Sequence, residues 1–290
     1  MPVFIDVLMP ATGDDYAEMA ADELAPYHQP FADAGLVIRP RPWDLGYDAG
    51  AGDGAATLAF FAWGYHTQVD AWLAMLGAWP TGSLLLNPPA LLAWNTRKTY
   101  LAELKAKGIP IVPSRFEDAD QASIDAAFDQ FGVDTLVVKP QISAGSYQTI
   151  RMSRGDRVVP MTDAIIQPFI ASVGDEGELS IFFISGSFSH AARKVARAGD
   201  FRVQPQFGGV FTPLTPSTEA LELAARVVAA LPVAPLYVRV DLLRLADGTL
   251  ALIEVEAIEP DLYPDIDPAV PARLAAAVLN AISNPSTPAR

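Results

Sequence analysis

Apolar and polar positions along the chain predict three successive blocks of elements. In residues 1–88 short apolar runs alternate with helical patterns: 3–8, 35–39, 57–63 and 83–86 read as strands, 14–27 and 68–76 as helices. Strands interleaved with helices imply a parallel sheet. The loop 40–54, rich in proline and glycine, is long enough to serve a function but carries no readable code.

The second block begins with residues 90–107, which read as one helix stopped by Gly108 and Pro110. A short extended segment, 109–112, leads to a helical pattern over 118–131 with Gly132 as its cap. Strand 135–139 turns at Pro140 into a polar glycine-containing loop, 141–149, and 149–152 returns as its hairpin partner. A short buried strand, 164–167, closes the block.

From Gly177 the pattern is again strand-rich. Strands 178–184 and 188–195 pair around Ser185-Gly186-Ser187, and a polar loop, 197–209, follows. Helix 217–231 has Ser217 and Thr218 available as caps. Two apolar runs, LYVRVDLLRL and LALIEVEAI, then flank Ala246-Asp247-Gly248-Thr249, and Asp-Gly between such runs is a strong hairpin signal. A last helix, 268–282, precedes a tail, NPSTPAR, expected to fray.

That hairpin breaks its own hydrophobic pattern. Asp241, Glu254 and Glu256 sit inside the apolar runs. Side chains alternate faces along a strand, so Glu254 and Glu256 share one face, and pairing across the turn lets Asp241 reach it. Three carboxylates in an apolar setting repel one another and lose hydration; a hard divalent cation bound through oxygen is the simplest compensation. Arg239, two residues before Asp241, adds a fixed positive charge suited to phosphate. The competing reading is an edge strand whose acids face water.

Composition narrows the classes. A formal charge of −14 argues against a broad nucleic-acid or anionic-membrane surface, although a few local cations still permit nucleotide binding. The absence of cysteine removes disulfides, thiolate metal sites and cysteine nucleophiles. No apolar run reaches membrane-spanning length, and the N-terminus lacks signal-peptide features, so a cytoplasmic protein is the expectation. His28, His66 and His190 have no metal-ligand spacing, and no serine-hydrolase, zinc-protease or Rossmann motif stands out.

Other residues fit a nucleotide. Lys139, at a strand end before a loop containing Ser143, Gly145 and Ser146, can hold a phosphate beneath loop N–H groups, or simply mark a surface turn. Lys98 falls mid-helix, where a solvated lysine is the ordinary reading. Gln167 ends a buried strand and could read an adenine edge, with Phe169 and Ile170 as an apolar wall, or the segment is an inter-lobe linker. Glu178 could bond ribose hydroxyls or face water. Arg193, Lys194, Arg197 and Arg202 fall within ten positions of a cation-poor chain, suiting a polyphosphate, an acyl phosphate or plain solvent.

The order of these parts resembles the ATP-grasp superfamily. NTRKTYLAEL is similar to that family's first lysine segment, VVKP with QISAGSYQT to its second lysine and flexible loop, IIQPFI with GELSIFF to its hinge and ribose acid, and RVDLLR with LIEVE to its metal strands. KVARAGDFRVQPQFGG resembles the basic loop of bacterial glutathione synthetases and of ligases that add glutamate to protein tails. IEVEAIEPDLY looks closer to a glutathione-synthetase-like group that includes the enzyme closing the D-cycloserine ring. Two positions depart: Glu256 stands where asparagine is common, and Gln167 where an acid is common.

The resemblance implies an α/β and α+β fold in three parts: a pre-grasp α/β domain at 1–88, a small lobe at 89–172 and a catalytic lobe at 173–290. It implies ATP and Mg²⁺ (or Mn²⁺) as cofactors. Asp241, Glu254 and Glu256 would hold the metal. Lys98 and Lys139 would hold the α/β-phosphates, Ser143, Gly145 and Ser146 would cover the phosphates, and Gln167, Phe169, Ile170 and Glu178 would hold the nucleoside. Arg239, Arg202 and Lys194 would steady the transferred phosphoryl group. The implied activity is an ADP-forming ligase joining an acyl phosphate to an amine on an amino-acid-like or peptide substrate. The alternatives are an intramolecular cyclo-ligase acting on an O-ureidoserine-like substrate and a non-catalytic nucleotide-binding regulator. Homodimers are common among the proteins it resembles.

Overall fold

The computed structural model describes residues 2–45, 54–197, 202–203 and 208–284. Much of the two polar loops, at 46–53, 198–201 and 204–207, and the tail 285–290 lie outside the described residues.

The chain opens with β1 (Val3–Met9), α1 (Ala17–Asp33), β2 (Leu36–Pro42), β3 (Ala56–Leu58), a 3₁₀ turn (Tyr65–Thr67), α2 (Val69–Gly77) and β4 (Leu85–Leu86). Its strands form a parallel four-stranded sheet in the order β2-β1-β3-β4. Helix α1 runs on past the predicted end at Tyr27, through Pro26 and Pro30. Its buried face, Ala20, Leu24, Tyr27 and Phe31, continues at helical spacing, and that packing outweighs the backbone bonds the prolines remove. The expected strand 57–63 stops at Leu58. Beyond it the run forms a buried turn, Ala62 N–H to Ala59 O at 3.0 Å, which sets Phe60 edge-on to Tyr27 and Tyr237 at 5.1 and 5.3 Å. A run buried on all sides has no periodicity to separate strand from turn.

Helices α3 (Pro89–Thr96) and α4 (Tyr100–Ala106) follow, then β5 (Arg115–Ala119), α5 (Gln121–Phe131), β6 (Thr135–Pro140), β7 (Ile150–Ser153) and β8 (Met161–Pro168). The strands make an antiparallel four-stranded sheet, β5-β8-β6-β7. The single helix expected over 90–107 is two. Arg97 is extended, with φ −112° and ψ 121°, and the Lys98 N–H donates to Gln141 O at 2.8 Å instead of to its own helix. Strand β5 replaces the start expected for helix α5, which begins after Asp120; the Asp120 carboxylate accepts the Ser123 N–H in a capping box.

The last block holds α6 (Ser172–Asp175), β9 (Glu178–Ile184), β10 (Ser187–Val195), β11 (Val210–Pro213), α7 (Thr218–Ala229), β12 (Tyr237–Arg244), β13 (Leu250–Glu256) and α8 (Val270–Ser283). The five strands are antiparallel in the order β11-β10-β9-β12-β13. Gly248, at φ +88°, makes the predicted Asp-Gly turn, where a side chain would be strained.

Period-two alternation decides what this sheet presents. Leu179, Ile181, Val238, Val240, Leu242 and Leu252 pack in one core with Leu223 and Val227 of α7. The intervening residues, among them Ser180, Arg239 and Asp241, therefore point to the opposite face. A one-residue slip of β12 would drive Asp241 into the α7 core, so the burial of Val240 and Leu242 fixes the register of the polar face.

Candidate active site

The face opposite α7 gathers charge in a buried setting. β12 and β13 pair Asp241 with Glu254 and Arg239 with Glu256, and a bulge immediately follows the Asp241 pair, where Leu242 faces Leu252. Asp241, Glu254 and Glu256 each offer a carboxylate oxygen, all lying within 4.8 Å of one another. Oxygens about 2.1 Å from one octahedral cation stand about 3.0 Å apart when cis and about 4.2 Å apart when trans, so the three carboxylates would draw together around a Mg²⁺. All-oxygen donors are the set a hard cation takes, and the residues fit it.

Asp241 is 1% exposed. It accepts from Ser180 Oγ at 2.6 Å, from Lys194 Nζ at 3.1 Å and from Arg239 Nε at 3.0 Å. Burial alone would raise its carboxyl; the Arg239 and Lys194 cations and the Arg239 and Ser180 hydrogen bonds more than offset this and hold it below the usual carboxylate range. Burial likewise pushes Glu254 up, but Lys98 and Lys139 bring it below its ordinary value. Glu256 is raised well above the usual range by burial, with Glu254 and Asp241 adding to the effect, even though Arg239 touches it. Of the three acids, Glu256 is thus the one the protein's own cations compensate least.

Lys98 is not the solvated mid-helix lysine of the sequence reading. It lies in the break between α3 and α4, 5% exposed, and its Nζ meets Glu254 at 3.2 Å and Ser143 Oγ at 3.2 Å, with the Ser143 carbonyl also accepting. Lys139, also buried, has its ammonium pKa lowered by burial despite the Glu254 charge. Lys194 is clasped between Asp241 and Glu178. Burial raises the Glu178 carboxyl to about 7, with Lys194 opposing. Glu178 thus neither stands free for a ribose nor faces bulk water in this arrangement.

The acids and cations of this cluster and Ser143 line one cavity of about 580 Å³, together with Gly145, Ser146 and Arg202. Gln167, Phe169 and Ile170 form another part of its wall. Gln167 Nε2 donates to Ser114 Oγ at 2.8 Å, and the Arg151 guanidinium lies 4.1 Å from the centre of the Phe169 ring. Val112, Val137, Leu243 and Ile253 complete an apolar slot beside them. A polar, cation-rich floor next to an apolar slot suits a nucleoside polyphosphate. Of the basic cluster picked out in the sequence, Lys194 and Arg202 line this cavity, whereas Arg193 donates to the carbonyls of Asp175 and Glu176 and neither it nor Arg197 lines the cavity; the other sequence-selected site residues all line it.

The residues that hold the floor in place were not legible. Asn95 Nδ2 donates to Val255 O at 2.8 Å and its Oδ1 accepts from Ala257 N–H at 2.8 Å, while Tyr100 bonds both the N–H and the C=O of Val255. Asn87 similarly bonds the backbone of Leu236, Tyr237 and Ala257. Each reaches about 150 residues ahead, and only the Asn87-Pro88-Pro89 turn hinted at anything unusual. Ser180 sits in an apolar strand, where a lone serine gives no signal.

A model of the RimK-like ATP-grasp domain matches residues 124–267. The cycloserine biosynthesis protein DcsG of Streptomyces lavendulae is 32% identical over 205 residues, covering 61% of this chain and 67% of that protein. Among solved structures, that of D-cycloserine synthetase DcsG superposes with a TM-score of 0.80 at 23% identity, covering 96% of this chain and 99% of the other. D-alanine–D-alanine ligase from Bacillus anthracis superposes with a TM-score of 0.69 at 17% identity, over 97% and 98%. At these identities the structural likeness is one of fold. Among the described residues no helix is long and apolar enough to cross a membrane.

Proposed function

The chain belongs to the ATP-grasp ligase family, and from that membership we propose that it is an ADP-forming ligase that activates a substrate carboxyl-type group as an acyl phosphate. In this reaction the carboxylate oxygen attacks the γ-phosphorus of ATP, the bond to the β-phosphate oxygen breaks and ADP leaves. A nucleophile, an amine in the simplest form, then attacks the acyl carbon and releases phosphate. The observation that carries the reading is the convergence of Asp241, Glu254 and Glu256 beside Arg239, Lys98 and Lys139 in one cavity.

Mg²⁺ held by the three acids would neutralise phosphate charge. Lys98 and Lys139 would position the α/β-phosphates, Arg239, Lys194 and Arg202 would balance charge on the transferred group, and Ser143, Gly145 and Ser146 would cover it. Glu178 would turn to the ribose on a change of partner from Lys194, and Gln167, Phe169 and Ile170 would hold the adenine. The division into 1–88, 89–172 and 173–290 belongs to the same proposal, supported by the three separate sheets.

DcsG, a cycloserine biosynthesis protein, favours a second form in which the nucleophile belongs to the same molecule and a ring closes. Mass spectrometry separates the two: ligation joins two masses, whereas cyclisation removes one water from a single substrate. The reading is tested with Glu254→Gln. ADP formation is lost while the circular dichroism spectrum is unchanged; undiminished turnover would remove the metal assignment.

A further inference from the structure

Where the cavity meets the first sheet it changes character. Trp63 and His66, from the segment between β3 and α2, line it together with Glu23 of α1 and with Glu259 and Asp261, which follow β13. A niche of about 10 Å³ adjoins it, and Glu23, Trp63, Glu259 and Asp261 line niche and cavity alike. That volume is about one water-sized group. Among the described residues, no lysine or arginine forms an ion pair with any of the three acids.

A second observation points to a ligand here. His66 is 9% exposed, faces the cavity, and has no hydrogen-bond partner on either ring nitrogen. It is held edge-on by Tyr65 at 6.0 Å and by Tyr147, in the glycine-containing loop, at 5.1 Å. A buried imidazole with both nitrogens unmet is costly unless a bound molecule meets them.

Resting on the reading of this cavity as the ligase site, we propose that the niche is the subsite for a primary ammonium group of the substrate. Glu259 and Asp261 are its fixed carboxylates, Glu23 closes it from α1, and His66 hydrogen-bonds the polar group next to that ammonium. The backbone N–H of Tyr263 already orients Asp261, at 2.8 Å. Trp63 supplies an aromatic wall of the kind that attracts a cation. A second metal is the poorer occupant: among the described residues only Asp241, Glu254 and Glu256 converge closely enough to share an ion.

The electrostatics agree. Burial, then neighbouring acids, raise Glu23; burial raises Asp261 against the Tyr263 N–H and the Arg239 charge; and burial lifts Glu259 to about 8 with Lys98 opposing. A bound cation would reverse that destabilisation. His66 is lowered by burial and then by Lys98, so it offers the substrate one donor and one acceptor rather than a charge.

The test uses the full chain saturated with MgADP and titrated calorimetrically with free amino acids of both hands, and with the matching 2-hydroxy acids. At least one free amino acid binds, and its 2-hydroxy counterpart binds at least 100-fold more weakly. Glu259→Gln and, independently, Asp261→Asn weaken that binding at least 30-fold while MgADP affinity stays within twofold of wild type. His66→Ala weakens it about 10-fold, and His66→Gln restores part of the loss. Failure of every free amino acid to bind, equal binding of a 2-hydroxy acid, or unchanged binding in both acid variants overturns the subsite and leaves the nucleotide site standing. Amino-acid binding without ADP release upholds the subsite and sinks the ligase reading.

Discussion

Asp241→Asn should be costly to stability as well as to function, because Asp241 is both a proposed metal ligand and the anion that holds two buried cations. The variant replaces a carboxylate, 1% exposed, that accepts from Lys194 and Arg239. Removing one partner of a buried ion pair costs about 3–5 kcal/mol. Lys194 keeps Glu178 and Arg239 keeps Glu256, and the asparagine oxygen still accepts one bond. We therefore expect a smaller loss, about 2–3 kcal/mol, read as a fall in Tm of roughly 4–10 °C. Glu254→Gln should behave differently. The Glu254 side chain is 27% exposed, its partner Lys98 retains Ser143, and the change relieves repulsion with Glu256, so its cost stays below about 1 kcal/mol. Urea unfolding of the metal-free variants, beside ADP release with MgATP, separates the two effects. Both variants lose turnover; only Asp241→Asn loses stability. Equal stability of Asp241→Asn and wild type would refute the argument that this acid anchors the floor.

Lys98→Met should raise the KM for ATP at least tenfold with a Tm within a few degrees of wild type; an unchanged KM would return Lys98 to an ordinary structural lysine. Gly177→Ala puts a Cβ 2.5 Å from the Lys194 carbonyl at φ +83°, so it should cost at least about 1–2 kcal/mol and displace the Lys194 strand, lowering ADP release; a variant as active and stable as wild type would contradict this. His190, stacked on Phe182 and bonded to Leu262 O, is depressed by burial to about 4 from an ordinary 6.5. The unfolded chain therefore takes up that proton first, and the stability from neutral His190 is full above pH 6.5 and lost as pH falls from 6.5 to 4, by at most about 3 kcal/mol. Urea midpoints across that range should flatten in His190→Gln, and an identical slope would rule the histidine out.

The sequence made the acidic hairpin readable because three acids inside two apolar runs break a period-two pattern, and the Asp-Gly turn fixed which strand pairs with which. The strand-end lysine and its loop were visible for the same reason: local pattern dictated local structure. The local pattern alone left Lys98 an ordinary solvated lysine, and only the resemblance set it apart, because its helix breaks on a bond to Gln141, about 40 residues away, and no window over 90–107 contains that partner. Strand β5 was missed because its ladder to β8 is non-local; only its last two residues overlap the helical pattern over 118–131, and Asp120 marks where the helix begins. Asn87, Asn95 and Tyr100 act on backbone far along the chain. His66 gave no spacing signal; its unmet nitrogens emerge only once the cavity is built.

The most direct measurement is the identity of the nucleotide products when the chain turns over MgATP with its acceptor, resolved by ion-exchange chromatography and phosphorus NMR. The account predicts ADP and orthophosphate in equal amounts, released only when the acceptor and Mg²⁺ are both present. AMP and pyrophosphate would mean that the carboxyl group is adenylated, and would contradict attack on the γ-phosphate.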